Sequence, residues 1–131
     1  MKIMLTGVQL ERIIEKHYEE ELDFKGNASV NVYDQDDYYR GGKKVFQAIM
    51  RGKIKLDGQD LAVKYEINEE EIKKIIKRYF EKAGYQYVNA HMGCKQQHCD
   101  AFERDAPYLA FDNVEVEVKE KVKEKVVNIE W

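Results

Sequence analysis

Cysteine and proline are scarce in this chain, and charge of neither sign is in excess. The two cysteines both fall in the segment Cys94 to Cys99, so a framework of disulfides is not what holds the fold together. The single proline, beside abundant Lys, Glu, Ile and Tyr, is a bias of AT-rich genomes or heat-adapted proteins and speaks of origin, not of function. No apolar run approaches the roughly eighteen residues that a membrane-spanning helix requires. Lys and Arg number 22 against 25 Asp and Glu, for a formal charge of −3. That balance gives neither the basic excess of a general nucleic-acid binder nor the acidity of a duplex mimic. Met1-Lys2-Ile3-Met4-Leu5 runs into a helix signal without an apolar leader region or cleavage site, and the expected location is the cytoplasm.

What is present is the composition of a hydrated globule, 44% apolar and 36% charged over 131 residues. That length suits one domain, residues 1–131, with a core of its own. No internal repeat or low-complexity linker is evident along it. Thr6-Gly7-Val8-Gln9 forms a capping box, with Leu5 and Leu10 at the positions of a hydrophobic staple. Leu10, Ile13, Ile14, His17 and Glu21 or Leu22 then follow helical spacing, so the first helix is expected to end near Leu22 to Asp23. The same grammar returns at Asn68, with Glu71 as the reciprocal residue and Ile67 and Ile72 as staple. The buried stripe is Ile72, Ile75, Ile76, Tyr79, Phe80 and Ala83, and Gly84 is the closing residue. Acidic Glu69 to Glu71 at the start and Lys77, Arg78 and Lys82 towards the end agree with the helix dipole.

Between these helices the period becomes two. Phe46, Ala48, Met50, Gly52, Ile54 and Leu56 share one parity, Asp57-Gly58 supplies a hairpin turn, and Leu61, Val63, Tyr65 and Ile67 line the returning strand. An earlier strand is expected around Ser29 to Tyr33. After Gly84 come a strand at Tyr85 to Ala90 and an irregular stretch from His91 to Ala106. A pair of strands at Tyr108 to Phe111 and Val114 to Val118 follows, turning at Asp112-Asn113. The expected fold is α+β, with two amphipathic helices packed on a mostly antiparallel sheet in the order α-β-β-β-α-β-β. Residues 119–131 form a C-terminal arm or last strand.

The order α-β-β-β-α through residue 83 resembles that of a double-stranded-RNA-binding domain. Such domains present lysines at the start of the second helix, where this chain has Glu69, Glu70 and Glu71, which repel a phosphate backbone. Nucleic acid is therefore not the expected partner.

Two segments concentrate chemistry. His91, Cys94, His98 and Cys99 gather both cysteines and two of three histidines, a donor set sufficient for tetrahedral zinc, although H-x2-C-x3-H-C is one compact cluster and not two separate knuckles. A metal-dependent or thiol enzyme built on these residues is the alternative reading. Thiol catalysis further needs a base and an orienting group beside the sulfur. The other segment, from Tyr33 to Lys44, holds Tyr38, Tyr39, Arg40 and Lys43 with paired glycines. It lacks the closing glutamate of a calcium loop and the Ser or Thr of a P-loop. Tyrosine supplies contact area, arginine binds anions in a fork, and glycine lets backbone amides approach an anion. The sequence thus leads to the expectation of a small non-catalytic binding or inhibitor protein of the kind phages and mobile elements encode. It would act on a protein or on a small anionic or nucleotide ligand through Tyr33, Tyr38, Tyr39, Arg40, Lys43 and Trp131. Homo-oligomers through the strand edges at Val114 to Val118 and Val126 to Trp131 are a third expectation.

Overall fold

The computed structural model of the protein describes residues 1–34, 44–99 and 106–120. Its elements are β1 (Lys2–Thr6), α1 (Gly7–Leu22), β2 (Gly26–Asp34), β3 (Lys44–Leu56), β4 (Gln59–Asn68), α2 (Glu69–Lys82), β5 (Tyr85–Cys99) and β6 (Ala106–Glu120). The class is α+β as expected, with two helices and antiparallel strands. The strands form two three-stranded sheets, ordered β1-β6-β5 and β2-β3-β4, and β1 precedes the first expected element. No described helix is long and apolar enough to cross a membrane.

Both helices start where the capping chemistry places them. The Gln9 N–H donates to Thr6 Oγ1 at 3.2 Å and the Thr6 N–H to Gln9 Oε1 at 2.9 Å. Asn68 and Glu71 repeat the exchange at 2.9 and 3.4 Å. Each box satisfies main-chain donors that a helix start leaves open. At the end of α1, Asp23 takes a left-handed conformation (φ 54°), and the Phe24 N–H reaches back to the Tyr18 carbonyl at 3.1 Å. This wrap lays Phe24 against Tyr18 and Tyr65, at centroid distances of 6.5 and 5.2 Å. Room for that ring exists because residue 52 is glycine, where an added Cβ would lie 2.6 Å from Phe24 Cζ and from the Lys25 carbonyl oxygen. Gly84, at φ 98°, follows α2.

The chain is a βαββ unit used twice, β1-α1-β2-β3 and then β4-α2-β5-β6. Each sheet joins the hairpin of one unit to the first strand of the other: β4 lies on β3, and β1 lies on β6. An offset of 62 residues superposes the two buried sets. Leu5, Leu10, Ile13, Ile14, Tyr18 and Ala28 correspond to Ile67, Ile72, Ile75, Ile76, Phe80 and Ala90, all of them buried in one continuous core.

Several expectations are corrected. Tyr18, and not Glu21 or Leu22, completes the buried stripe of α1, and Leu22 is exposed. Tyr79 of α2 and Ala83 just after it lie at the surface, because the buried face turns through Ile76 and Phe80 towards β5 and β3. The strand after α2 continues through the stretch expected to be irregular, as far as Cys99. No turn forms at Asp112-Asn113: β6 is unbroken, and the irregularity is a register shift opposite Gly93. Pairing with β1, which sets Leu5 on Val114 and Thr6 on Asn113, overrides the local turn preference of Asp-Asn. The strand Val114 to Val118 is consequently the centre of its sheet, with both edges filled and its valines fully buried. It offers no edge to a second copy. The arm at 121–131 lies outside the described residues.

Helix α1 also closes the outer edge of β2. The main-chain N–H groups of Ala28 and Val30 donate to the Glu15 and Glu11 carboxylates at 2.9 and 3.0 Å, which removes donors that an edge strand would present to another chain. At the offset positions of α2 stand Lys73 and Lys77, which cannot accept. Glu15→Ala is expected to cost about 1–3 kcal/mol by leaving a part-buried donor unpaired. Glu15→Gln keeps an acceptor and should recover most of that loss in urea unfolding.

Candidate functional site

A groove of about 300 Å³ lies between the two helices. Its lining is contributed by equivalent positions of the two units: Ile13, Lys16, His17 and Glu20 from α1 face Ile75, Arg78, Tyr79 and Lys82 from α2. The isoleucines form a buried floor, and the walls carry three cations, the Glu20 carboxylate, an imidazole and a phenol ring. A second hollow of about 330 Å³ continues past Lys16 and Tyr79 to Arg12 and Gln9, over Ile3 and Leu5.

Carboxylates of α1 already rest on part of this cationic wall. Arg78 Nη2 donates to Glu21 Oε1 at 2.8 Å and Lys82 Nζ to Glu21 Oε2 at 3.0 Å. Glu20 lies 3.6 Å from Lys82. The Lys82 hydrogen bond, helped by the charges of Arg78 and Lys82, holds the Glu21 carboxyl below its ordinary range. These exposed pairs are screened by solvent and contribute little to stability. They do show that the wall can receive an oxyanion. Lys16 is engaged differently, with its ammonium 5.8 Å from the centroid of the Tyr79 ring. His17 packs edge-on against Tyr18 at 5.5 Å. Burial lowers its pKa, and Arg78 and Lys82 act in the same sense, against Glu21 and Glu20. At neutral pH it is therefore an uncharged imidazole able to donate and to accept.

Compared with protein-family models, with curated proteins and with solved structures, the chain matches none of them. The reading of the groove consequently rests on its chemistry alone.

The residues singled out in the sequence are distributed otherwise. Tyr33 lies in β2, paired with Val45 of β3. Tyr38, Tyr39, Arg40, Lys43 and Trp131 fall outside the described residues. His91, Cys94, His98 and Cys99 are strung along β5, paired in turn with Glu115, Phe111, Pro107 and Ala106 of β6. At a strand's rise, His91 and Cys99 stand about 26 Å apart along the backbone. His91 is exposed and Cys94 is a half-buried free thiol. Among the described residues no three His, Cys, Asp or Glu side chains are grouped to hold a metal. Sequence reasoning missed the groove because Lys16, Arg78 and Lys82 read as ordinary helix-surface charges. The signal that could have found them is the offset of 62, which aligns the two capping boxes and brings Lys16 onto Arg78 and His17 onto Tyr79.

Proposed function

We propose that the protein is a non-catalytic binding protein for a small anionic ligand, of which a nucleotide is the best-fitting class, seated in the groove between α1 and α2. The observation that carries this reading is the convergence of Lys16, Arg78 and Lys82 over an apolar floor, beside the rings of His17 and Tyr79. A phosphate can replace the Glu21 carboxylate on Arg78 and Lys82, where a forked guanidinium and an ammonium favour it. The flat part of the ligand then covers Ile13 and Ile75. Such a protein acts by sequestering its ligand or by presenting it to a partner, in keeping with an inhibitor or regulator of the phage-encoded kind.

Calorimetric titration with a nucleoside triphosphate and with inorganic pyrophosphate tests this. Wild-type protein is expected to bind the nucleotide more tightly than pyrophosphate, and Arg78→Met and Lys16→Met should each weaken binding about tenfold or more while the far-UV spectrum stays unchanged. Absence of heat with either ligand contradicts the reading.

Binding is also expected to depend on pH in a definite sense. An anion beside His17 favours the imidazolium, acting in the sense of Glu20 and against Arg78 and Lys82 and carrying more charge than the Glu21 carboxylate it replaces, so binding takes up a proton and affinity is higher near pH 6 than near pH 8. His17→Gln should flatten that dependence. Without ligand the sign for stability is the reverse. The lowered pKa of His17 means that the unfolded chain binds the proton more readily, so its contribution is present above about pH 6.5 and is lost as pH falls through the folded value.

A further inference from the structure

β4 is an edge strand among the described residues, since its sheet runs β2-β3-β4 and only its β3 side is paired there. It is ten residues long and exposed along almost all of its length, with Ile67 its one buried residue, and it pairs with β3 without a register shift. A regular uncovered strand of this kind is a template for another strand. The opposite edge of the same sheet is treated otherwise, its donors being taken by Glu11 and Glu15.

The Asp57-Gly58 turn determines which main-chain groups of β4 are free. Both turn residues have positive φ, 52° and 77°, as a two-residue hairpin turn of the primed type requires, and Leu56 pairs with Gln59 across it. The pair flanking such a turn is hydrogen-bonded. Alternation then directs the N–H and C=O of Leu61 and Val63 to β3 and those of Asp60, Ala62 and Lys64 outwards. Side chains alternate likewise. Leu61 continues the core-side face opposite Ile54, where the hairpin overruns the helices and leaves these two 38% and 44% exposed.

We propose that β4 pairs antiparallel with β4 of a second copy of this chain about a two-fold axis at Ala62, joining two three-stranded sheets into one of six. In that register Asp60 of each copy faces Lys64 of the other on the polar face. On the apolar face Leu61 meets Val63, and the outward main-chain groups of all three even positions find partners. Neighbouring registers lack this match. An axis at Asp60 or at Lys64 sets like charges against each other, an axis at Val63 opposes Asp60 to Glu66, and an axis at Leu61 leaves Asp60 facing Ala62. The charges of the strand therefore specify both the occupant and its alignment.

The test is the solution mass of the full chain by native mass spectrometry and sedimentation velocity across a concentration series. The expected species is twice the 15.5 kDa chain. Asp60→Lys should give the monomer, and adding Lys64→Asp should restore the dimer. Ala62→Pro should also give the monomer with an unchanged far-UV spectrum, because the N–H it removes points away from β3. A wild-type monomer throughout the series overturns the proposal. So does a dimer that both Asp60→Lys and Ala62→Pro leave intact.

Discussion

Alanine at Ile14 and alanine at Ile76 are each expected to lower unfolding free energy by about 3–4 kcal/mol, the range for truncating a large aliphatic side chain where the surroundings relax little. Both side chains are fully buried, and both stand at the same place in their βαββ unit, four residues past the staple residues Leu10 and Ile72. The second expectation is more specific than the first: the two costs should agree to within about 1 kcal/mol, because packing cost follows the cavity left behind and equivalent positions leave similar cavities. The double variant should be unfolded at room temperature, given that whole domains are stable by only about 5–15 kcal/mol. Urea titrations of the two single variants measure both points. A cost near zero at one position and a full cost at the other would mean that the units do not share one core.

Gly26→Ala should be nearly as damaging, through crowding in place of a cavity. Gly26 pairs with Gly52 at the start of the β2–β3 ladder. A Cβ there would collide with the Arg51 carbonyl oxygen, and it would lie 2.9 Å from the Arg51 carbonyl carbon and 3.2 Å from Gly52 Cα. All three atoms belong to the backbone, which cannot swing aside as a side chain can. The strands must part, at about 3 kcal/mol, the upper end of ordinary overpacking. Alanine at Gly58 is the informative contrast. Its surroundings are open, and only the positive φ of 77° opposes a side chain, at roughly 1–2 kcal/mol.

Much of this architecture was legible in the residues, because the deciding interactions are local. Capping boxes at Thr6 and Asn68, staples at Leu5–Leu10 and Ile67–Ile72, and the Asp57-Gly58 turn each act within a few residues, and each stands where the pattern put it. What escaped was settled by distant partners. β1 is too short to signal itself, and it exists because Val114 and Val116 of β6 complete its pairing. That same pairing suppresses the turn at Asp112-Asn113. The duplication was hidden because it is carried by burial: Tyr18 matches Phe80 and Leu10 matches Ile72, while the surfaces differ in charge, with Glu11 and Glu15 opposite Lys73 and Lys77. The groove escaped for a related reason. Its cations lie on two helices separated by three strands, and no spacing within one helix reveals that they meet.

The most direct test of the groove reading is an amide chemical-shift titration of uniformly labelled protein with a nucleoside triphosphate. Saturable shifts are expected in the facing segments of the helices alone, about Ile13 to Glu20 and Ile75 to Ala83, and they should be lost in Arg78→Met. Shifts that centre instead on His91 to Cys99 or on Tyr38 to Lys43, with the helices silent, would contradict it and move the binding site to the segment that responds.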